Sequence, residues 1–269
     1  MPDLPGNWTS YVDRRAFIPD VIYVQREARG NLVAVSRHDE PGLWEEQVAS
    51  DEPVVTKLKP IVLPDGSELP FWPVSSSSAP SIMNIMLDEL RLQPDLSVLE
   101  IGTGTGWNAA ILAQVGAVVT TVEIDMEVAT RARAALDKAG YGKVVVITGD
   151  GELGAPDRAP YDRLIATAAV SAVPYEWVRQ TSEGGLIVFP YTGQDCAHGI
   201  AVLTVHDRAA SGTIRSQGRA GFMPLRDRGL TQAKLQNIEN AAEVKIVVTE
   251  HGQKTMPGQE PGLPDRMRQ

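Results

Sequence analysis

Residues 98 to 107 read Val98-Leu99-Glu100-Ile101-Gly102-Thr103-Gly104-Thr105-Gly106-Trp107. Val98, Leu99 and Ile101 predict a short apolar strand, and the glycines at 102, 104 and 106 predict a tight turn into a helix of alanines and leucines. Glycine suits a chain that must turn sharply and leave bare backbone for a ligand to touch, and the new helix offers unpaired N–H groups to an anionic group. The stretch therefore predicts a nucleotide-type cofactor site. Its spacing is not the G-x-G-x-x-G of dinucleotide-binding enzymes, because the third glycine comes one residue too early, so a dehydrogenase ranks last among the readings.

The chain beyond it strengthens that prediction. Residues 117 to 124, AVVTTVEI, read as a second strand ending at Glu123, where a carboxylate would accept from both ribose hydroxyls. Val128, Ala129, Ala132, Ala135, Leu136 and Ala139 then recur at helical spacing, and KVVVIT reads as a third strand running into Gly149-Asp150-Gly151. Strand, glycine turn, helix, strand, carboxylate, helix, strand and Asp turn is the order of an α/β doubly wound, Rossmann-like sheet with a ligand at its carboxyl edge. The loop itself resembles the E-x-G-x-G-x-G of methyltransferases that use S-adenosylmethionine.

Composition narrows the class. A chain of 269 residues with 43% hydrophobic content can bury a full core. Its 25 basic residues are scattered among 34 acidic ones for a net charge of −9, which leaves no basic stripe for nucleic acid. The start, MPDLPGNW, has neither the basic head nor the apolar run of a signal peptide, and no apolar run approaches a membrane span, so a cytoplasmic protein without membrane contact is expected. The histidines at 38, 198, 206 and 251 lack metal-ligand spacing, Cys196 beside His198 reads as a lone thiol, and no metal site is expected. There is no P-loop and no G-x-S-x-G elbow.

Three regions are expected: a cap over residues 1–74, a cofactor-binding domain over 75–207, and a C-terminal extension over 208–269 with a mobile tail from Gly252. The cap is broken by nine prolines and predicted to be irregular apart from the pieces at 14–24 and 51–63, with a turn at Asp65-Gly66. After Ser75-Ser76-Ser77-Ser78-Ala79-Pro80, the residues Ile82, Met83, Met86, Leu87 and Leu90 fall on one helix face. Ser78 reads equally as a helix-capping residue and as an active-site group. Further on, strands are predicted at 162–167, 186–190 and 201–206. A helix is predicted over 174–180, a turn at Gly184-Gly185 and a second helix over LTQAKLQNIENAAEV. KIVVTEH is predicted to be the last strand.

Taken together, Ser78-Ala79-Pro80, the glycine loop, Glu123, Gly149-Asp150-Gly151, Ala159-Pro160-Tyr161-Asp162, Thr167-Ala168-Ala169, Gly184-Gly185 and Pro190 resemble the protein-L-isoaspartate O-methyltransferase family, in order and at similar spacing. The resemblance covers residues 75 to 193. In the cap only Arg15 to Asp20 is similar to the family's R-x-x-F-x-P, and Ser81 stands where the repair enzymes carry an aromatic residue or His. The run SSSSAPS and GFMPLRDRG near 221 to 229 are similar to actinobacterial relatives associated with ribosomally made, modified peptides.

The resemblance implies a class I methyltransferase sheet and S-adenosylmethionine as cofactor. It implies cofactor contacts from Glu100, Gly102, Thr103, Gly104 and Gly106 of the loop. Glu123 and Ile124 would hold the ribose side, and Asp150, Gly151 and Thr167 would complete the set. Ser78 would orient the acceptor. The partner it implies is a peptide or protein carrying Asp or isoAsp, a constrained ribosomal peptide first and a damaged protein second. No histidine is required, since an aspartyl carboxylate with a pKa of about 3.9 is already ionised at neutral pH.

Overall fold

Ile22, Val24, Val35 and Val54 are buried beside more exposed neighbours, the pattern of strands covered on one face. In the computed structural model, which describes residues 6–26, 31–62, 68–192, 198–215, 222–225 and 244–257, they belong to a separate antiparallel sheet. It contains β1 (Val21–Gln25), β2 (Leu32–Ser36), β3 (Val54–Val62) and β4 (Glu68–Ser77), in the order β2-β1-β3-β4. Helix α1 (Pro41–Ala49) buries Trp44 and Val48 in the same cluster. The expected irregular cap is thus corrected to an ordered one. Pro60 stands at a register shift between β3 and β4, and Pro70 and Pro73 sit on the edge strand, where a missing N–H is tolerated. The Asp65-Gly66 turn lies outside the described residues.

Strand β4 runs through Ser77, and α2 (Pro80–Leu90) starts where the sequence places it, with Ile82, Met83, Met86, Leu87 and Leu90 buried. The serines do not cap it. Ala79 is the N-cap residue, and the Asp51 carboxylate accepts from the Ser81 N–H at 2.8 Å.

The main sheet is built on β5 (Ser97–Ile101), α3 (Trp107–Gln114), β6 (Val118–Glu123), α4 (Met126–Lys138), β7 (Val145–Thr148), β8 (Tyr161–Ala166), α5 (Tyr175–Gln180) and β9 (Thr181–Thr192). Its parallel part runs β9-β8-β5-β6-β7, so the strand order reverses between β5 and β8. Ligands in such sheets bind at that reversal, outside the carboxyl ends of the strands. Period-two alternation divides the core. Val98, Ile165 and Val188 pack toward α2 and α3, while Leu99, Ile101, Leu164, Ile187 and Phe189 pack with Trp177 on the other face. This is the predicted doubly wound, class I methyltransferase architecture.

The sheet continues antiparallel through β10 (His198–His206), β11 (Ala209–Arg215), β12 (Val244–Thr249) and β13 (Gly252–Pro257). Two expectations are corrected here. KIVVTEH is not the last strand, and the chain from Gly252 to Pro257 is not a loose tail, because it pairs along the length of β12. The Gly184-Gly185 pair lies within the bounds of β9, where pairing with β8 jumps from Tyr161–Thr181 to Arg163–Leu186. The predicted helix at LTQAKLQNIENAAEV and Cys196 lie outside the described residues. Among the described residues no helix is long and apolar enough to cross a membrane, and no cluster of three metal-ligating side chains occurs.

Candidate active site

The turn after β5 is shaped by backbone that only glycine adopts easily: Gly102, Gly104 and Gly106 have φ of 90°, 54° and 86°. The Gly102 N–H donates to the Val122 carbonyl at 2.8 Å, which fixes the loop to β6. At the end of β6 the Glu123 carboxylate accepts from the Gly104 N–H at 2.9 Å and from the Asp125 N–H at 3.1 Å. Burial raises the pKa of Glu123, and the two backbone donors work against that rise. Across the reversal, Thr167 follows β8, and its hydroxyl donates to the Gly102 carbonyl at 2.7 Å. A Cβ on Gly102 would stand 2.9 Å from that hydroxyl oxygen, so the loop and the end of β8 are in closest approach.

These groups border a cleft of about 490 Å³, within the roughly 300–1,000 Å³ of small-molecule sites. Of the residues implied by the sequence, Ser78, Gly102, Gly104, Glu123, Ile124, Gly151 and Thr167 line it together. Four others stand elsewhere. Glu100 is fully buried behind the loop, where it accepts from Asn108 Nδ2 at 2.7 Å and from the Thr121 hydroxyl at 2.5 Å, and Thr121 Oγ1 lies 2.7 Å from Thr103 Oγ1. Burial pushes the Glu100 carboxyl up to about 7, against the pull of the Thr121 and Asn108 hydrogen bonds. Gly106 opens α3, and a Cβ there would press on Leu136 at 3.3 Å. Asp150 accepts from the Glu152 N–H at 3.0 Å at the start of a short 3-10 turn.

Apart from Ser78, the sequence does not single out the residues of the far wall of the cleft. Asp51, Glu52 and Val74 come from the cap, Ile82 and Ile85 from α2, and Phe222 to Leu225 from the C-terminal extension. The last segment is held like a short strand, Ala169 donating to the Met223 carbonyl at 2.8 Å and Leu225 donating to the Ala169 carbonyl at 2.9 Å. Its motif was legible, but nothing in it gave its place. Ser78 sits on this wall, and among the described residues no hydrogen bond engages its hydroxyl. Behind it lies Arg14. Counted residue by residue, R-x-x-F-x-P falls on Arg14, Phe17 and Pro19 rather than starting at Arg15: Arg14 and Phe17 are buried, whereas Arg15 is exposed and pairs with Glu45.

The cleft suits S-adenosylmethionine. Gly102 and Gly104 leave bare backbone where a side chain would crowd Thr167 Oγ1 or, at 3.3 Å, the Ser76 carbonyl. Glu123 presents a fixed carboxylate at the end of β6, and the exposed Ile124 gives an apolar surface next to it.

The comparisons with known proteins agree. The sequence model described as protein-L-isoaspartate(D-aspartate) O-methyltransferase matches residues 65–229. A protein-L-isoaspartate O-methyltransferase of Gloeobacter violaceus is 38% identical over 168 residues, 62% of this chain and 78% of the relative. One of Xanthobacter autotrophicus is 36% identical over 162 residues, 60% of this chain and 73% of the relative. A solved protein-L-isoaspartate O-methyltransferase shares the fold with a TM-score of 0.59 at 24% identity, over 79% of this chain and 58% of that one.

Proposed function

Since the chain belongs to the protein-L-isoaspartate(D-aspartate) O-methyltransferase family, a family of S-adenosylmethionine-dependent carboxyl methyltransferases, we propose that it esterifies an aspartyl side-chain carboxylate in a constrained, ribosomally made peptide. The observation that carries this reading is the composition of the cleft. A cofactor floor from the parallel sheet faces a wall to which the cap contributes Asp51 and Glu52, outside the residues 65–229 that the family model matches, and to which the segment Phe222 to Leu225 is added.

When bound, S-adenosylmethionine supplies an electrophilic methyl group on a sulfonium. The protein's part is positioning. Gly102 and Gly104 would seat the aminoacyl end against bare backbone, and Glu123 would accept from the ribose hydroxyls. Asp150, near the floor, would accept from the adenine amino group. On the facing wall the Ser78 hydroxyl donates one hydrogen bond to the acceptor carboxylate and aims its second oxygen at the methyl carbon. A single donor orients the nucleophile without quenching it. Transfer of the methyl group to the carboxylate oxygen would leave the cofactor as its neutral thioether, and no general base would be needed because the acceptor is already an anion.

In the ester, methanol leaves when the backbone nitrogen of the next residue attacks, closing a succinimide that hydrolyses to aspartate or isoaspartate. In a tailored peptide this installs the imide or its isoaspartyl product. A second reading, general repair of isoaspartyl proteins, is favoured by the identity to the curated relatives. Mass spectrometry separates the two. With S-adenosylmethionine present, gain of one methyl group or loss of water only on a macrocyclic aspartyl peptide supports tailoring. Efficient methylation of a linear isoaspartyl peptide supports repair and removes the first reading.

A further inference from the structure

The charged residues lining the cleft are Asp51, Glu52 and Glu123; no Lys, Arg or His is among the described lining residues. On the reading given above, the acceptor is itself a carboxylate. The sulfonium of the bound cofactor would offset part of that negative charge, and a second cation, supplied by the protein, stands behind the wall. Arg14, 6% exposed, spreads its guanidinium beneath the end of β4. Nη2 donates to the Ser78 carbonyl at 2.8 Å, the Ser77 carbonyl at 2.9 Å and the Glu52 carbonyl at 3.0 Å, and Nε donates to the Ser77 hydroxyl at 3.1 Å. Nη1 donates to the Ser50 and Val48 carbonyls at 3.3 and 3.4 Å. The guanidinium also lies 5.4 Å from the ring centroid of Trp107, the first residue of α3 after the glycine loop.

All of these partners are neutral. No carboxylate forms an ion pair with Arg14 among the described residues, although Asp51 acts on it from a distance. Burial brings its pKa down to about 10, which leaves it charged at neutral pH. A buried cation with no carboxylate in direct contact is costly, and a neutral side chain would fill the space at less expense if packing were the sole task. We propose that Arg14 is a positioning residue for the acceptor. It fixes the Ser77–Ser78 backbone between the cap and the cofactor loop, and its charge offsets Asp51 and Glu52 so that an anionic side chain is admitted at Ser78.

The inference rests on the proposed methyl transfer to a carboxylate, and its test separates the two. Full-length wild type, Arg14→Lys, Arg14→Gln and Arg14→Met are compared for kcat and KM on the peptide that the wild type methylates. Binding of that peptide is also compared with binding of its asparaginyl counterpart, which has the same shape without the charge. Loss of the charge in Arg14→Gln and Arg14→Met is expected to raise KM about 10-fold and to bring the aspartyl-to-asparaginyl affinity ratio toward one. Arg14→Lys keeps the charge but not the planar fork, so it is expected to retain the ratio while kcat stays about 10-fold low. If Arg14→Met does not fold, Arg14→Gln carries the comparison, since its amide nitrogen falls near the Arg14 Nε position and can still donate to the Ser77 hydroxyl. An unchanged ratio in the neutral variants overturns the inference and leaves Arg14 a scaffold residue. A wild type that methylates no peptide carboxylate overturns the proposed function first, and the inference with it.

Discussion

The Lys57 ammonium on β3 lies 2.9 Å from each oxygen of the Asp125 carboxylate, two residues beyond Glu123. Lys59 reaches the same carboxylate at 3.3 Å, and Lys57 also contacts Glu127 at 2.6 Å. Asp125 in turn caps α4 through the Glu127 and Val128 N–H groups and donates its own N–H to Glu123. Burial works to raise the Asp125 pKa, but the hydrogen bonds from Lys57, Val128 and Lys59 outweigh it and hold the carboxyl at about 2. The cap is thereby tied by charge to Asp125, whose own N–H donates to the Glu123 carboxylate in the cleft.

That tie is expected to make cofactor affinity sensitive to ionic strength. The Lys57 and Asp125 side chains are 16% and 17% exposed, so their pair is screened less than a surface pair but still feels added salt. Lys57→Met is expected to weaken S-adenosylmethionine binding about 3- to 10-fold at low salt and to flatten its salt dependence. Titration calorimetry at two salt concentrations checks this, and parallel salt slopes in wild type and variant would refute it.

Glu100 sets a pH dependence of stability. Its folded pKa of about 7 stands above the ordinary value of 4.5, so between those values the folded state holds a proton that the unfolded state has lost. Stability therefore rises as pH falls from above 7 toward 4.5, and the charged form is disfavoured by on the order of 3 kcal/mol. Glu100→Gln keeps the shape, and Thr121 can reverse its hydroxyl to accept from the new amide. The variant should melt higher than wild type at pH 8, with the difference shrinking toward pH 5. Equal slopes of Tm against pH in the two proteins would count against it.

The two walls of the cleft are expected to separate in mutation. Glu123→Ala removes the carboxylate that holds the Gly104 and Asp125 N–H groups and should weaken cofactor binding about 10- to 100-fold. Ser78→Ala removes a hydroxyl on the opposite wall and should lower kcat about 10-fold with cofactor affinity nearly unchanged. Calorimetry with cofactor alone and steady-state kinetics with peptide check both. Equal loss of cofactor affinity in the two variants would place Ser78 on the cofactor side.

What could be read from sequence follows from how each element is stabilised. The β5 turn, the end of β6 at Glu123 and the buried face of α2 are local patterns, in which one stretch carries both its periodicity and its stop signal. Arg14 was not legible because its role depends on carbonyls 34 to 64 residues away. The cap sheet was hidden by prolines that an edge strand and a register shift accommodate. Strand β13, Gly-Gln-Lys-Thr-Met-Pro, lacks apolar alternation because backbone pairing to β12 defines it.

The glycine loop offers a test in which backbone strain and cofactor contact are separated by two similar substitutions. Gly104 and Gly140 both have positive φ, 54° and 89°, so alanine strains either position by roughly 1–2 kcal/mol. A Cβ on Gly140 meets nothing within 4 Å, whereas one on Gly104 stands 3.3 Å from the Ser76 carbonyl, in the narrow gap between the loop and the end of β4. That carbonyl belongs to backbone next to the Ser77 and Ser78 carbonyls gripped by Arg14, so it has little freedom to retreat. The loop must shift instead, carrying with it the N–H that Glu123 accepts. Gly140→Ala should therefore lower Tm while leaving cofactor affinity as it was. Gly104→Ala should lower Tm by at least as much and weaken the cofactor about 10-fold. If Gly104→Ala binds the cofactor as tightly as Gly140→Ala does, the loop does not form the floor of the cofactor site.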